Sequence, residues 1–269
     1  MTTAPRSEPN RIRATGLSPA NRSLERGVEI LRAFRPGSEL LGNGEIAERT
    51  GLAKSTISRL TQTLVGCGLL QLDAGERAYR LAPPVLSFAH AMRSGSRVLA
   101  AAAPHMRALS ERRRVNVGLA APDRDSMVYL ESIRYARRVA LREVVSGQRV
   151  PMELTSLGRA YLAVAQPARR RELLEAFARH RKKQWAAISL EIEKARSDVL
   201  NLGYCGAAWQ PEVVALAAPL VVDGAVYVLN VSLSTKESIA DVAVDLGSAL
   251  LRLVDIVRKE LSKQQPRKL

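Results

Sequence analysis

Apolar and polar positions along the chain fall first into helical spacing. Leu24, Val28 and Leu31 share a stripe within residues 23–34, with Ser23 at the N-cap, Arg26 in the slot where a capping box carries Glu, and Pro36-Gly37 as the stop. Next comes Gly44-Glu-Ile-Ala-Glu-Arg-Thr-Gly51-Leu-Ala-Lys-Ser-Thr-Ile-Ser-Arg-Leu60, two short amphipathic segments divided by one glycine. This spacing predicts a helix-turn-helix. Ala47 is small where the helices cross, Gly51 takes the positive φ of the turn, and Ile46, Leu52, Ile57 and Leu60 fill the wedge. The second helix ends near Cys67-Gly68. Residues 69–72 and 77–81 then flank the turn residues Asp73-Ala-Gly75-Glu, which predicts a hairpin and, with the helices before it, a winged helix.

Pro83-Pro84 opens an apolar helix over residues 85–93. Ser94-Gly-Ser96 breaks it before residues 98–103, giving a linker helix over 83–103 with an interruption. Past Pro104 the pattern predicts a helix over 105–114, a strand over 115–121, a turn at Pro122-Asp-Arg, and strands over 127–132 and 139–145. Short helices follow near 157–164 and 170–179, then a longer one over 188–202. Strands over 214–222 and 226–232 are joined by Asp223-Gly224, and a helix over 239–261 closes the chain. Strands gathered into hairpins with helices around them predict an α+β domain with a mainly antiparallel sheet. The expected organisation is a disordered basic tail (1–22), a winged helix-turn-helix (23–82), the linker helix (83–103), a second domain (104–262) and a short tail (263–269).

Composition narrows the chemistry. The 269 residues are 46% apolar but only 4% aromatic, so the cores are expected to be aliphatic. No apolar run approaches the roughly 20 residues of a membrane span, and the N-terminus carries no signal-peptide h-region, so a cytoplasmic protein without membrane partners is expected. Two cysteines and three histidines lie scattered, without ligand or triad spacing, so the expectation is no metal, no cofactor and no catalytic residue. Gly42-Asn-Gly44-Glu-Ile-Ala47 matches a dinucleotide fingerprint, but no strand is predicted before it and its helix belongs to the winged helix.

The net charge of +15 favours a polyanionic partner. It does not locate one: residues 1–93 carry 13 Lys and Arg against 8 Asp and Glu, and residues 94–269 carry 28 against 18. The densest run, from Arg169 to Lys183, reads as a solvated helix face. Motif is more informative. With Ile57, Leu60 and Leu64 inward, Lys54, Ser55, Ser58, Arg59 and Gln62 face out on the second helix, and Thr56 completes the candidate set. Lys and Ser at a helix N-terminus suit phosphates, while Arg59 and Gln62 suit guanine and adenine edges. Arg77 in the wing suits a phosphate or the minor groove. For each residue singly, plain solvated charge is the alternative. Thr155-Ser-Leu-Gly158 suits either an anion at a helix N-terminus or simple capping by Thr155.

Taken in order, Leu24-Glu-Arg-Gly-Val-Glu-Ile-Leu31, Gly51-Leu-Ala-Lys-Ser-Thr-Ile-Ser-Arg-Leu60, Tyr79-Arg-Leu81, Val128-Tyr-Leu-Glu131, Val150-Pro-Met-Glu-Leu-Thr-Ser-Leu-Gly-Arg-Ala160 and Ala217-Ala-Pro219 resemble an IclR-type transcriptional regulator over residues 23–261. The resemblance implies a DNA-binding domain, a GAF-like domain binding a small organic acid, and a homodimer or dimer of dimers. A dimer would read a palindromic double-stranded operator. It also implies a pocket walled by Val139, Val150, Ser156, Leu157, Asn230 and Ser232, with Cys205 and Ala215 beside them. Those last two depart from keto-acid sensors of the family, which tend to carry an acidic residue and a cysteine there. The departure implies a roomier, less polar pocket suited to an aromatic carboxylate. Two other readings stay open: an architectural DNA-coating protein, and an enzyme with an appended DNA-binding domain.

Overall fold

The computed structural model describes residues 21–135 and 145–263, which form two compact units divided between Val85 and Leu86. The expected N-terminal tail lies almost wholly outside the described residues, as does most of the C-terminal one.

In the first unit, helix α1 (Arg22–Ala33) starts one residue earlier than the pattern indicated. Asn21, not Ser23, is the N-cap: its Oδ1 accepts from the amides of Ser23 and Leu24, both at 3.1 Å. Helices α2 (Asn43–Thr50) and α3 (Lys54–Gly66) form the expected pair, and Gly51 between them has φ of 69°. Strands β2 (Leu70–Asp73) and β3 (Ala78–Leu81) make the wing hairpin. A two-residue strand, β1 (Leu41–Gly42), pairs antiparallel with β3 and directly precedes α2, correcting the expectation that no strand stands there. The dinucleotide reading still fails, because this sheet is antiparallel and the Glu45 carboxylate takes the Gly42 amide at 2.9 Å. Ile30, Ile46, Ile57, Leu60 and Leu70 pack together as the core of this unit.

Helix α4 (Pro84–Ser94) ends at the predicted break, and Ser96 caps α5 (Arg97–Arg113). Here the sequence reading needs correction: α5 runs through Pro104 as one helix, so residues 98–103 belong to it and not to the linker. Pro104 and Ala100 are both exposed, so the Ala100 carbonyl that loses its amide partner faces water. On the opposite side Val98, Leu99, Ala102, Met106 and Leu109 are buried and hold the helix together.

The second unit is a six-stranded, fully antiparallel sheet in the order β6-β5-β4-β9-β8-β7. Its strands are β4 (Asn116–Asp123), β5 (Ser126–Ile133), β6 (Arg149–Pro151), β7 (Cys205–Gln210), β8 (Val213–Val222) and β9 (Ala225–Ser234). Helices α5 and α9 (Ile239–Lys263) cover one face, around Leu119, Leu216 and Val231. Helices α6 (Ser156–Val164), α7 (Pro167–Arg181) and α8 (Trp185–Leu202) cover the other, around Ala120, Tyr129 and Ala217. Strand β4 continues through Pro122, where a turn was expected; pairing with β9 has ended by Ala120, so the missing amide leaves that ladder intact. The expected strand over 139–145 falls outside the described residues except for Val145, which is not in a strand. Strands β6 and β7 were not anticipated, the first being three residues long and the second lacking alternation.

A candidate DNA interface and a candidate effector site

Helix α3 presents two sides. Ile57, Leu60, Thr61 and Leu64 are buried, while Lys54, Ser55, Arg59 and Gln62 are exposed and Thr56 and Ser58 half-buried. The six candidates thus line the outer side of one helix, with Lys54 and Ser55 in its first turn. In the wing, Arg77 is exposed at φ of 49° at the hairpin tip, where Asp73 Oδ1 accepts from the Glu76 amide at 3.1 Å and the other carboxylate oxygen pairs with Arg80. Hydrogen bonding to the Glu76 amide is the chief cause that holds the Asp73 carboxyl below its ordinary value, which keeps the turn closed at neutral pH. Arg77 has no ion-pair partner of its own in the tip.

In the second unit the sheet register arranges the other candidates in two rows across the face that α6 and α8 cover. Cys205 stands opposite Ala217, Ala217 opposite Asn230, Asn230 opposite Gly118, and Gly118 opposite Ser132. One step along, Ala207, Ala215, Ser232 and Asn116 form the second row. Asn230 and Ser232 line a small cavity of about 40 Å³ with Asn116, Gly118, Tyr129, Ser132 and Arg134. None of the other predicted residues that the structure describes lines it. Val150 and Leu157 are core, Ala215 is buried next to Ser232, and the Cys205 thiol donates to the Ser156 carbonyl at 3.5 Å. Val139 lies outside the described residues. The cavity that the described residues form is small, whereas a roomy one was expected from Cys205 and Ala215.

Burial governs the titratable groups here. Desolvation pushes the Tyr129 phenol up to about 12 despite a hydrogen bond from Asn230, so it stays neutral. Desolvation likewise raises the Cys205 thiol to about 12, against the pull of Arg159, leaving no thiolate nucleophile at neutral pH. The α6 N-terminus is occupied by its own chain: Thr155 Oγ1 accepts from the Gly158 amide at 3.2 Å, as the capping alternative expected. Behind it, buried Arg159 donates to the Glu153 carbonyl at 3.1 Å and pairs with Glu191, while Arg181 Nε donates to Glu153 Oε1 at 2.7 Å. These bonds fix α6 against α7 and α8.

With this geometry, residues 23–74 match the IclR helix-turn-helix domain and residues 90–247 match the Bacterial transcriptional regulator IclR C-terminal domain. The chain belongs to the IclR family of transcriptional regulators. It is 32% identical over 256 residues to the HTH-type transcriptional regulator TsaQ1/TsaQ2 of Comamonas testosteroni, covering 92% of this chain and 91% of that one. An IclR family regulator from Brucella abortus superposes with a TM-score of 0.79 at 34% identity, over 92% of this chain and 93% of that one. An IclR homolog from Microbacterium hydrocarbonoxydans, solved with 4-hydroxybenzoate, shares the fold with a TM-score of 0.67 at 20% identity, over 90% of this chain and all of that one. Its relatives are regulators by name, and among the described residues no helix is long and apolar enough to cross a membrane.

For an IclR-family sensor domain, sequence reasoning missed Tyr129, Arg134, Asn116 and Ser132 at the cavity. The signal was present: Val128-Tyr-Leu-Glu131 was conspicuous as a motif, and strand alternation places Asn116 and Gly118 on one face. What hid the rest is a β-bulge. Leu119 pairs with Glu131 and Ala120 with Tyr129, so Leu130 is an extra residue that shifts the phase of β5 and brings both Tyr129 and Ser132 to the cavity. The basic run on α7 is less solvated than expected, since Arg169, Arg170 and Arg181 are each tied to a carboxylate.

Proposed function

We propose that this chain is a homodimeric regulator, working in the cytoplasm, whose affinity for a palindromic operator changes when an organic acid occupies the α6-covered face of its sheet. The observation that carries the proposal is the pairing, in one chain, of a recognition helix with Lys54, Ser55, Arg59 and Gln62 outward and a polar cavity lined by Asn230 and Ser232. Lys54, Ser55 and Thr56 meet phosphates, Ser58, Arg59 and Gln62 meet base edges, and Arg77 enters or borders the minor groove. The 4-hydroxybenzoate bound by the Microbacterium homolog supports an organic acid as effector. Val150, Ser156, Leu157, Cys205 and Ala215 form the surrounding wall, and no catalytic role is assigned to any of them.

Dimerisation is assigned to α4. None of its residues is buried, and Leu86, Phe88 and Met92 are 74%, 62% and 51% exposed, an apolar surface that a second copy would cover. Two-fold pairing gives two half-sites. By linkage, the acid must bind the DNA-competent and DNA-incompetent forms unequally. The experiment is selection of an operator from random DNA, followed by binding titrations with and without organic acids. The architectural alternative draws on the net charge of +15 and predicts sequence-independent binding with a steep salt slope and no response to small molecules.

A further inference from the structure

The part of the basic run that no carboxylate ties down gathers at the turn between α7 and α8. Helix α7 ends at Arg181, a short 3-10 turn over Lys182–Gln184 follows, and α8 leads back alongside, with Arg170 on α7 paired to Glu193 on α8. From 176 to 190 this hairpin carries Arg179, His180, Arg181, Lys182 and Lys183 and no Asp or Glu. Glu153 takes Arg181, and Glu191 is paired with Arg159. Among the described residues, the side chains of Arg179, Lys182 and Lys183 have neither an ion pair nor a hydrogen bond, Glu175 one turn back included, and all three are exposed. Three such cations within five consecutive residues stand within about one Debye length, roughly 8 Å at physiological ionic strength, and repel one another wherever no anion joins them.

The turn is held from below. Phe177 on one arm and Ile188 on the other are buried in the same cluster that half-buried Trp185 packs against. Lys182 has φ of 34° and ψ of −100°, a region that residues with a Cβ rarely adopt. Gly or Asn would meet that conformation with less strain. The lysine keeps a charge there in spite of it.

The surroundings of these cations select among polyanions. Among the described residues, no large apolar side chain is exposed between 176 and 189. Protein interfaces centre on desolvated aromatic and aliphatic anchors and are depleted in Lys, whereas a nucleic-acid backbone is met by Lys and Arg without apolar contact. We propose that Arg179, Lys182 and Lys183 at the α7–α8 turn grip phosphates of duplex DNA beyond the operator that the winged helix reads. The contact carries no sequence preference, because phosphates carry no sequence information. It gives the excess of basic residues outside the DNA-binding unit, 28 against 18 over residues 94–269, a partner of its own.

The test loads the full-length protein with one equivalent of a short operator duplex, selected from random DNA, so that the winged helices are filled. A fluorescent duplex of scrambled sequence is then added over a range of salt and followed by anisotropy, for the wild type and for the triple variant Arg179→Gln, Lys182→Asn, Lys183→Gln. Asn suits the positive φ at 182, and unchanged affinity for the short operator checks that the variant folds. At low salt the loaded wild type is expected to bind the scrambled duplex at least tenfold more tightly than the loaded variant. Its salt slope should be steeper by about 0.9 for each phosphate met, so by about 3 for the whole turn. Should the triple variant fail to fold, Lys183→Gln alone carries the test, with a slope shallower by about 0.9 than the wild type. No capture of the scrambled duplex by the loaded wild type, or a smaller difference from the variant, overturns the proposal. Tighter capture of labelled polyglutamate than of the duplex, lost in the variant, also overturns it and assigns the turn to an acidic protein. Operator recognition rests on α3 and stands under each of these outcomes.

Discussion

Arg93, one residue before the end of α4, places Nη2 2.7 Å from Glu131 Oε2 on β5. Its Nη1 donates to the Leu130 carbonyl at 2.5 Å. The Glu131 carboxylate also accepts from its neighbour's amide, Ser132, at 3.0 Å and from Ser146 Oγ at 3.1 Å. The bulge at Leu130 thus serves two ends. On one side β5 carries Tyr129 and Ser132 into the cavity, and on the other it grips the helix that leads to the DNA-binding unit.

Glu131→Gln keeps the shape of the latch and removes its charge. The pair is partly shielded, at 35% and 19% side-chain exposure, so its loss is expected to cost about 1–2 kcal/mol. Hydrogen exchange of the amides in residues 88–94 should quicken by roughly tenfold. Unchanged exchange there would show that Arg93 does not anchor the helix.

The same pair sets a pH dependence. Burial acts to raise the Glu131 pKa, but Arg93, the Ser132 amide and Ser146 outweigh it and hold the carboxyl below its ordinary value. A depressed folded-state pKa gives stability that is full above the unfolded value of about 4.3 and is lost as pH falls through the lower folded one. The gap in melting temperature between wild type and Glu131→Gln should therefore be constant near neutrality and close on acidification below about pH 4. A gap that widens in acid would contradict this sign.

Arg59 is exposed on α3 and has no side-chain partner there. Arg59→Ala is expected to weaken operator binding by about 1–3 kcal/mol, the range of one bidentate base contact, with a much smaller loss on random DNA. Arg77→Ala in the wing should weaken both and flatten the salt dependence by about one phosphate contact. Equal losses on both DNAs for Arg59→Ala, measured at one salt concentration, would make it a phosphate contact instead.

Two glycines distinguish what can yield from what cannot. At Gly118 an added Cβ meets side chains, Tyr129 Cε1 at 2.5 Å and Asn230 Oδ1, which can swing aside; at Gly158 it meets the Met152 main chain, which cannot. Gly118→Ala is expected to cost about 1–3 kcal/mol and Gly158→Ala more. In thermal melts that means a fall of several degrees for the first and a larger one for the second. The reverse order would show that the Asn230–Tyr129 pair is the less adaptable wall.

The helix-turn-helix was fully legible, because Gly51 at a left-handed turn with Ile46, Ile57 and Leu60 around it is a purely local solution. The sheet was legible in part. Strands β8 and β9 are long and rich in Val and Leu, whereas β7, with its Gly-Ala-Ala, forms only because β8 supplies a partner. Helix α5 shows the limit of reading proline as a stop: burial of Met106 and Leu109 beyond Pro104 outweighs one lost hydrogen bond. At the cavity, Asn230 and Ser232 came from family resemblance alone. That Tyr129 and Ser132 share the cavity was out of reach because a bulge, a feature of pairing between strands, sets which way β5 faces.

The most direct test of an effector-controlled regulator is one fluorescence-anisotropy titration on an operator selected from random DNA, at fixed salt, with and without millimolar 4-hydroxybenzoate. The account predicts tight binding to a two-fold symmetric site, far weaker binding to scrambled DNA, and a severalfold change in operator affinity when the acid is present. Equal affinity for operator and scrambled DNA, with no response to the acid, would contradict it.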